Sequence, residues 1–301
     1  MYCNPTEILL SRVERSRRVL TDPRVQAHCL EVGPMVLTGS TRMQASTVLM
    51  LVIGLAFAFR RDVDGAFRAL DEWIGNLEKA DTSPLEGFIV EEARAYQAGE
   101  RTLFRADDYA ITVFTDTTER APTFNIAPFG PDSPAYIAIA GTQNADEAWN
   151  KLLGRAPRPL AWHDVHPKTS EEYLRGFDFS REVIHARRQA APGREQHEFT
   201  IEHVGRAIHY RFRGMEARFV LPAQSELFDH LTLKMWLNMQ STLTFGRLGR
   251  FEGNLMTWVY PSNGKLVDRA ARYTQILLQR RGIDGFSYDD IVRAQFECKK
   301  I

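Results

Sequence analysis

Twelve consecutive residues without a charge, Val48 to Phe59, follow the compact polar turn Thr38-Gly39-Ser40-Thr41-Arg42. The run constrains the fold more than any other stretch. It is shorter than the roughly 20 apolar residues needed to span a bilayer, and Arg60-Arg61 close it. It therefore reads as a buried core helix that other protein layers must cover. The turn before it carries small hydroxyls, a glycine and a cation. Such a turn can aim backbone N–H groups and hydroxyls at an anion or a sugar. Its commoner role is an ordinary N-cap, with Ser40 or Thr41 starting the helix.

Composition supports a globular chain with a sizeable core. Of 301 residues, 44% are hydrophobic and 25% charged, enough for one large domain or two small ones. Lys+Arg and Asp+Glu both number 38, so no global basic field recruits nucleic acid or an anionic membrane. Cys3, Cys29 and Cys298 lack metal-ligand spacing, which points to a reduced cytoplasmic setting. The N-terminus, MYCNPTEILL, has no basic segment before an apolar run and does not read as a signal peptide.

Along the chain, Asn4-Pro5-Thr6-Glu7 reads as a turn into a helix bearing Ile8, Leu9, Val13 and Val19, which Asp22-Pro23 breaks. Val63, Phe67, Leu70, Trp73, Ile74 and Leu77 recur at helical spacing. After Ser83-Pro84 a second helix runs to a C-cap at Gly99. The helical reading extends from Asp62 to Asp107. Tyr109–Thr115 and Ala135–Ala140 read as strands. Asp178 or Ser180 starts a helix, and Ala190-Ala191-Pro192-Gly193 breaks it. Period-two alternation from Glu198 to Leu221, broken by Gly205 and Gly214, predicts short antiparallel strands. The remainder is helical, with a cap at Ser262 or Asn263, a stop at Gly282 and a capping-box pattern at Ser287–Asp290.

Glu119 is the sharpest candidate for chemistry. It lies in a polar turn expected at a strand's carboxyl end, flanked by Thr117, Thr118 and Thr123. A carboxylate there can accept sugar hydroxyls or move a proton. The plainer reading is an acid stabilising a helix N-terminus. His163 and His166 lack a partner at metal-binding spacing, so no metal or other cofactor is expected. His203 and His209 read as surface or cross-strand residues. Arg206, Arg211, Arg213 and Arg218 fit a solvated sheet face better than a phosphate site. Lys234, on an apolar helical face, reads by default as snorkelling and otherwise as reaching an anion.

Several stretches together resemble one family. GPMVLTGSTRM at 33–43 is similar to the G-P-x-V-L-T-G-S-T-R-[LM] signature of the N-acetylmuramic acid 6-phosphate etherases, shared by the glucokinase-regulator group. DTTERAPTF at 116–124 resembles their D-A-S-E-C-P-P-T-[FY] motif, and KMWLNMQST at 234–242 resembles K-L-V-L-N-M-L-S-T. GNLM at 253–256 with SNGKLV at 262–267 resembles G-N-L-M…T-N-x-K-L-V, and Cys3-Asn4-Pro5 resembles the family's C-N-P. The resemblance covers most of the chain outside 141–222. The serine-rich phosphate loop of the family is absent, and its second catalytic glutamate has no clear counterpart, Glu147 being the nearest.

The resemblance implies the SIS (sugar isomerase) fold, an α/β parallel sheet flanked by helices. It further implies a C-terminal remnant of a first SIS module at 1–61, a helical connector at 62–107, a second, divergent module at 108–260 and C-terminal helices at 261–301. It implies a protein that binds a sugar phosphate, with Glu119 on sugar hydroxyls and Thr38, Ser40, Thr41, Arg42, Thr117, Thr118 and Lys234 holding the ligand. An enzyme of this kind would be a carbon–oxygen lyase, releasing lactate from the muramic acid substrate, or a sugar-phosphate isomerase. A regulator that binds a sugar kinase is the third possibility. The uncovered helix 48–59 implies a homo-oligomer or a missing N-terminal module as partner, with neither nucleic acid nor membrane.

Overall fold

The computed structural model describes residues 1–126, 130, 133–160 and 170–298. Two short helices open the chain, α1 (Thr6–Arg12) and α2 (Glu14–Leu20), and neither buries a residue. Three longer ones follow, α3 (Ala45–Phe59), α4 (Val63–Lys79) and α5 (Leu85–Gln97). Next come β1 (Arg101–Ala106), α6 (Ala110–Phe124), β2 (Ala135–Ala138) and the helices α7 (Ala145–Leu153), α8 (Glu171–Arg175) and α9 (Glu182–Ala190). A meander of β3 (Gln196–Val204), β4 (Ala207–Phe212) and β5 (Met215–Val220) leads into the long α10 (Glu226–Arg247). A small hairpin, β6 (Phe251–Glu252) and β7 (Leu255–Met256), precedes α11 (Gly264–Arg280) and α12 (Tyr288–Cys298).

The fold class is α/β. Five strands form one mixed sheet in the order β2-β1-β3-β4-β5. β1 pairs in parallel with β2 and β3, and the pairs β3–β4 and β4–β5 are antiparallel. The alternation predicted for 198–221 is observed. Phe199, Ile201 and His203 share a face with Phe212, Tyr210 and Ile208 through the β3–β4 register. Gly205 and Gly214, both at positive φ, make the two turns. This aromatic face, continued by Phe104 of β1, carries α5, α6 and α10: Phe88 of α5 meets Phe199 and Tyr210, and Phe219 of β5 meets Trp236 of α10. On the opposite face, ion pairs join Arg211 to Glu202 and Glu216, and Arg105 to Glu198. Arg211 thus lies on a solvated sheet face, while Arg206 pairs with Asp229 and Arg213 with Glu91 and Glu100.

The expected strand over Tyr109–Thr115 is instead the start of α6, and the strand that pairs in parallel with both β2 and β3 is β1, inside the stretch read as helical. The reason lies in which residues α6 buries. Ala110, Val113, Thr117, Arg120 and Phe124 recur at helical spacing on its inner side together with Asp116. Two of these are charged, so counting apolar positions alone misses the period. In β1, Arg101 and Arg105 disguise a strand. Arg101 is fully buried, its guanidinium donating to the carbonyls of Arg187 and Arg194.

α3 departs from expectation in another way. It is helical and charge-free, yet only Ala45 and Thr47 are buried, while Met50, Ile53 and Phe57 are exposed, Phe57 at 79%. The polar turn does not cap it. The N-cap position is Gln44, whose side chain accepts from the N–H of Val36 and donates to the carbonyls of Val32 and Pro34. The other predicted caps are present: Asn263 accepts from the N–H of Leu266, and Ser287 and Asp290 form a capping box. No helix among the described residues is long and apolar enough to cross a membrane.

The contrast between two phenylalanines is measurable by urea denaturation. Phe124, fully buried and stacked on Phe245, should cost about 3–5 kcal/mol on truncation to alanine. Phe57→Ser should change stability by less than about 0.5 kcal/mol. A large loss from Phe57→Ser would show that this face is covered in solution.

Candidate functional site

Four separate stretches meet beneath the polar turn: residues 38–42, the C-terminal half of α6, the middle of α10 and the β6–β7 hairpin. At their centre Arg120 forms two ion pairs. Its Nε and Nη2 donate to Asp116 Oδ2 at 3.0 and 2.9 Å, and its Nη1 donates to Glu92 Oε1 at 2.6 Å. The guanidinium lies 4.5 Å from the ring centroid of Phe104 and 5.7 Å from that of Phe245. Glu92 also accepts from Tyr96 and, on its other oxygen, from Gln240 at 2.9 Å. Asp116 Oδ1 accepts from Asn238 and Ser241, each at 2.9 Å.

Arg42 enters this network from the polar turn. Its Nη2 donates to the carbonyl of Asn238 and to Ser241 Oγ, and lies 3.3 Å from Asp116 Oδ1. Its Nε and Nη1 are buried without a hydrogen-bond partner. Lys234 is buried rather than snorkelling. Its ammonium donates to the Arg42 carbonyl, Thr47 Oγ1 and Asn238 Oδ1 at 2.5, 2.9 and 2.9 Å. All three of its donors are used, so it acts on its surroundings as a charge.

Glu119 sits in the third turn of α6, not in a turn beyond a strand. It is half-buried, and its Oε2 has no hydrogen-bond partner. Burial pushes its carboxyl above the usual range, against the pull of Lys234 and Arg42. Burial lowers the Lys234 ammonium, which Glu119 partly restores. Burial also works against ionisation of Asp116, but Arg120, Arg42 and the hydrogen bonds from Asn238 and Ser241 outweigh it and hold this carboxyl below its ordinary value.

The other expected residues divide. Ser40 Oγ lies 3.3 Å from Thr123 Oγ1, beneath the turn. Thr38 is pinned to the hairpin: its N–H donates to the Asn254 carbonyl, Asn254 donates to its hydroxyl, and Tyr273 donates to its carbonyl. Gly39 has φ +82°, and a Cβ there would come within 2.7 Å of the Arg269 guanidinium, so the turn requires glycine. Thr41 is exposed. The Thr117 and Thr118 hydroxyls donate to carbonyls of their own helix, those of Val113 and Thr115. Glu147 is remote from the cluster and caps α7, accepting from the N–H of Gln143. His163 and His166 lie outside the described residues.

Sequence reasoning assigned no role to Glu92, Tyr96, Asp116 or Gln240, which complete the network. Only the motif around Asp116 and Glu119 hinted at one of them. A second cluster that no sequence motif marks lies past the carboxyl end of β1. There Tyr109 meets the rings of His203 and His230, and Thr112 Oγ1 lies 2.7 Å from His230 Nδ1. Among the described residues one group has metal-ligand proximity, Glu100, Glu195 and His197, but Arg213 already donates to Glu100 at 2.9 Å. A cation there would face the guanidinium.

No known protein-family model and no curated protein significantly matches the chain.

The buried network sets a stability expectation. Asp116→Ala leaves Arg120 and Arg42 short of a counter-charge and should cost about 3–5 kcal/mol near pH 7. The folded-state pKa of Asp116 lies below its unfolded value. Its contribution is therefore present above about pH 4 and is lost as the pH falls further. The gap between wild type and variant in urea melts should accordingly narrow under acid. A gap that widened would contradict this assignment.

Proposed function

We propose that this chain is a divergent SIS-type protein that binds a sugar phosphate where residues 38–42 meet α6 and α10. The observation that carries this reading is a set of polar groups left without partners at that junction. Arg42 Nε and Nη1 and Glu119 Oε2 are all buried and unsatisfied, beside the Lys234 charge. Buried polar groups are nearly always paired, so orphaned donors next to an orphaned acceptor mark a place for a polar ligand. The segments that resemble the etherase group supply every residue involved, and hydrogen bonds join them: Arg42 to Asn238 and Ser241, Ser40 to Thr123, Thr38 to Asn254.

The charges set the binding mode. Arg42, Arg120 and Lys234 face Asp116, Glu92 and Glu119. With Glu119 ionised the set is neutral, and with Glu119 protonated it carries one net positive charge, matching an anion. Sugar hydroxyls would pair with the Glu119 carboxyl, and the negative group would lie in the field of Arg42 and Lys234. Anion binding is then coupled to proton uptake by Glu119.

Isothermal titration and thermal melting with hexose and amino-sugar 6-phosphates test this. Ligand at about 100 times its Kd should stabilise the fold by about 2.7 kcal/mol. Affinity should fall as pH rises through the elevated pKa of Glu119. Glu119→Gln should flatten that part of the profile, and comparing the two proteins cancels the ligand's own ionisation. Neither heat nor a melting shift with any of these sugars would sink the reading.

The raised Glu119 carboxyl also favours a second reading, a lyase in which this group protonates the lactyl ether oxygen of N-acetylmuramic acid 6-phosphate while a base removes the proton at C2. Lactate release by the wild type, abolished in Glu119→Gln, is the expected result. Release that persisted in the variant would remove Glu119 from this role.

A further inference from the structure

A cavity of about 370 Å³ opens between the C-terminal half of α4, the end of β5 and α10, apart from the residues discussed above. Its apolar wall includes the indoles of Trp73 and Trp236. Each packs on a phenylalanine: Trp73 stacks on Phe228 at 5.2 Å, and Trp236 packs at 5.1 Å on Phe219, which also lines the cavity. The Trp73 indole N–H is already used, donating to Thr232 Oγ1 at 2.9 Å. These side chains are held in place before any ligand arrives.

Two side-chain amides also line the cavity, and each has one unsatisfied buried atom. Asn76 Nδ2, a donor, and Gln224 Oε1, an acceptor, lack hydrogen-bond partners. The other end of Gln224 is fixed, because its Nε2 donates to Asp229 Oδ1 at 2.9 Å. Asp229 is in turn held by Arg206. Lys79 and Arg218 also line the cavity. Neither makes an ion pair or side-chain hydrogen bond among the described residues, whereas Arg211 on the neighbouring strand is paired twice. Asp81, the carboxylate in the lining, accepts from the N–H of Ser83.

We propose that this cavity binds a nucleotide-sized heteroaromatic anion. A base edge offering one acceptor and one donor would satisfy Asn76 and Gln224, its ring would lie against the indole wall, and its phosphate would take Lys79 and Arg218. The volume is at the lower end of the roughly 300–1,000 Å³ usual for ligand pockets, which suits a mononucleotide. A bare phosphate would leave the amides and the indole wall unused.

The experiment is isothermal titration of the full chain with AMP, GMP, CMP and UMP, alongside ribose 5-phosphate and inorganic phosphate. At least one nucleotide should bind saturably and more tightly than either base-free control. Arg218→Gln should weaken it about tenfold, the loss of one charge-assisted hydrogen bond. The melting temperature should stay unchanged, because Arg218 is exposed and unpaired. Asn76→Ala should reduce discrimination among the four bases. Glu119→Gln should leave nucleotide binding intact, which separates this site from the sugar phosphate site. Absence of saturable binding, equal binding of ribose 5-phosphate, or indifference to Arg218→Gln would each overturn the proposal.

Discussion

The Arg120 guanidinium is shared between Asp116 on its own helix and Glu92 on α5, and all three side chains are almost wholly removed from water. Removing charges from water costs several kcal/mol per ion, which is recovered only if geometry and hydrogen bonding are nearly complete. Here they are. Asp116 takes bonds from Asn238 and Ser241, and Glu92 takes bonds from Tyr96 and Gln240. The bonds from Asn238 and Ser241 tie α10 to α6, the bond from Gln240 ties α10 to α5, and the Arg120–Glu92 pair ties α6 to α5, the three helices that cover the aromatic face of the sheet. A shift of α10 relative to α6 would strand a carboxylate. The network thus specifies the relative placement of α5, α6 and α10 more sharply than interchangeable apolar contacts could.

Arg42 extends that constraint to a distant part of the chain. The turn at 38–42 has little apolar surface, yet it is held by Arg42 in the buried network, by the Lys234 ammonium on the Arg42 carbonyl and by Asn254 and Tyr273 on Thr38. This polar attachment sets the start of α3. Beyond that start the helix contributes little to the common core. Its inner side meets α10 closely at Gly54, where a Cβ would collide with Leu227, and its outer side faces solvent with Met50, Ile53 and Phe57. A helix apolar all round normally lies inside a protein. The sequence pattern of α3 therefore demands more cover than the described residues of one chain supply.

What could be read from the sequence follows from where the signal is apolar and periodic. α4 and α11 carry clear helical stripes, β3, β4 and β5 alternate cleanly, and Asn263 and Ser287 are caps of ordinary chemistry. β1 and α6 escape a reading by apolar pattern for one shared reason. Their buried positions include Arg101, Asp116 and Arg120, which binary patterning assigns to solvent. The resemblance directed attention to Arg42, Glu119 and Lys234, and these do converge. It did not reveal that Lys234 spends every donor internally or that Thr117 and Thr118 bond to their own helix. Those facts depend on which way a helix faces, and a local motif does not encode that.

The cluster has a closed part and an open part, and the difference bears on function. Asp116, Glu92 and Arg120 saturate one another, and the carboxyl of Asp116 is held low, so it keeps its charge across the physiological range. Glu119 stands at the edge with the opposite tendency: burial raises its carboxyl, and one oxygen is unbonded. The unused donors belong to Arg42, the residue that bridges the closed part to the turn. A purely structural network would gain by pairing these groups directly or by leaving Glu119 to water. Holding both unsatisfied costs stability. That cost is understandable if a polar ligand completes the set, with the rigid Asp116–Arg120–Glu92 core keeping Arg42 in position to receive it.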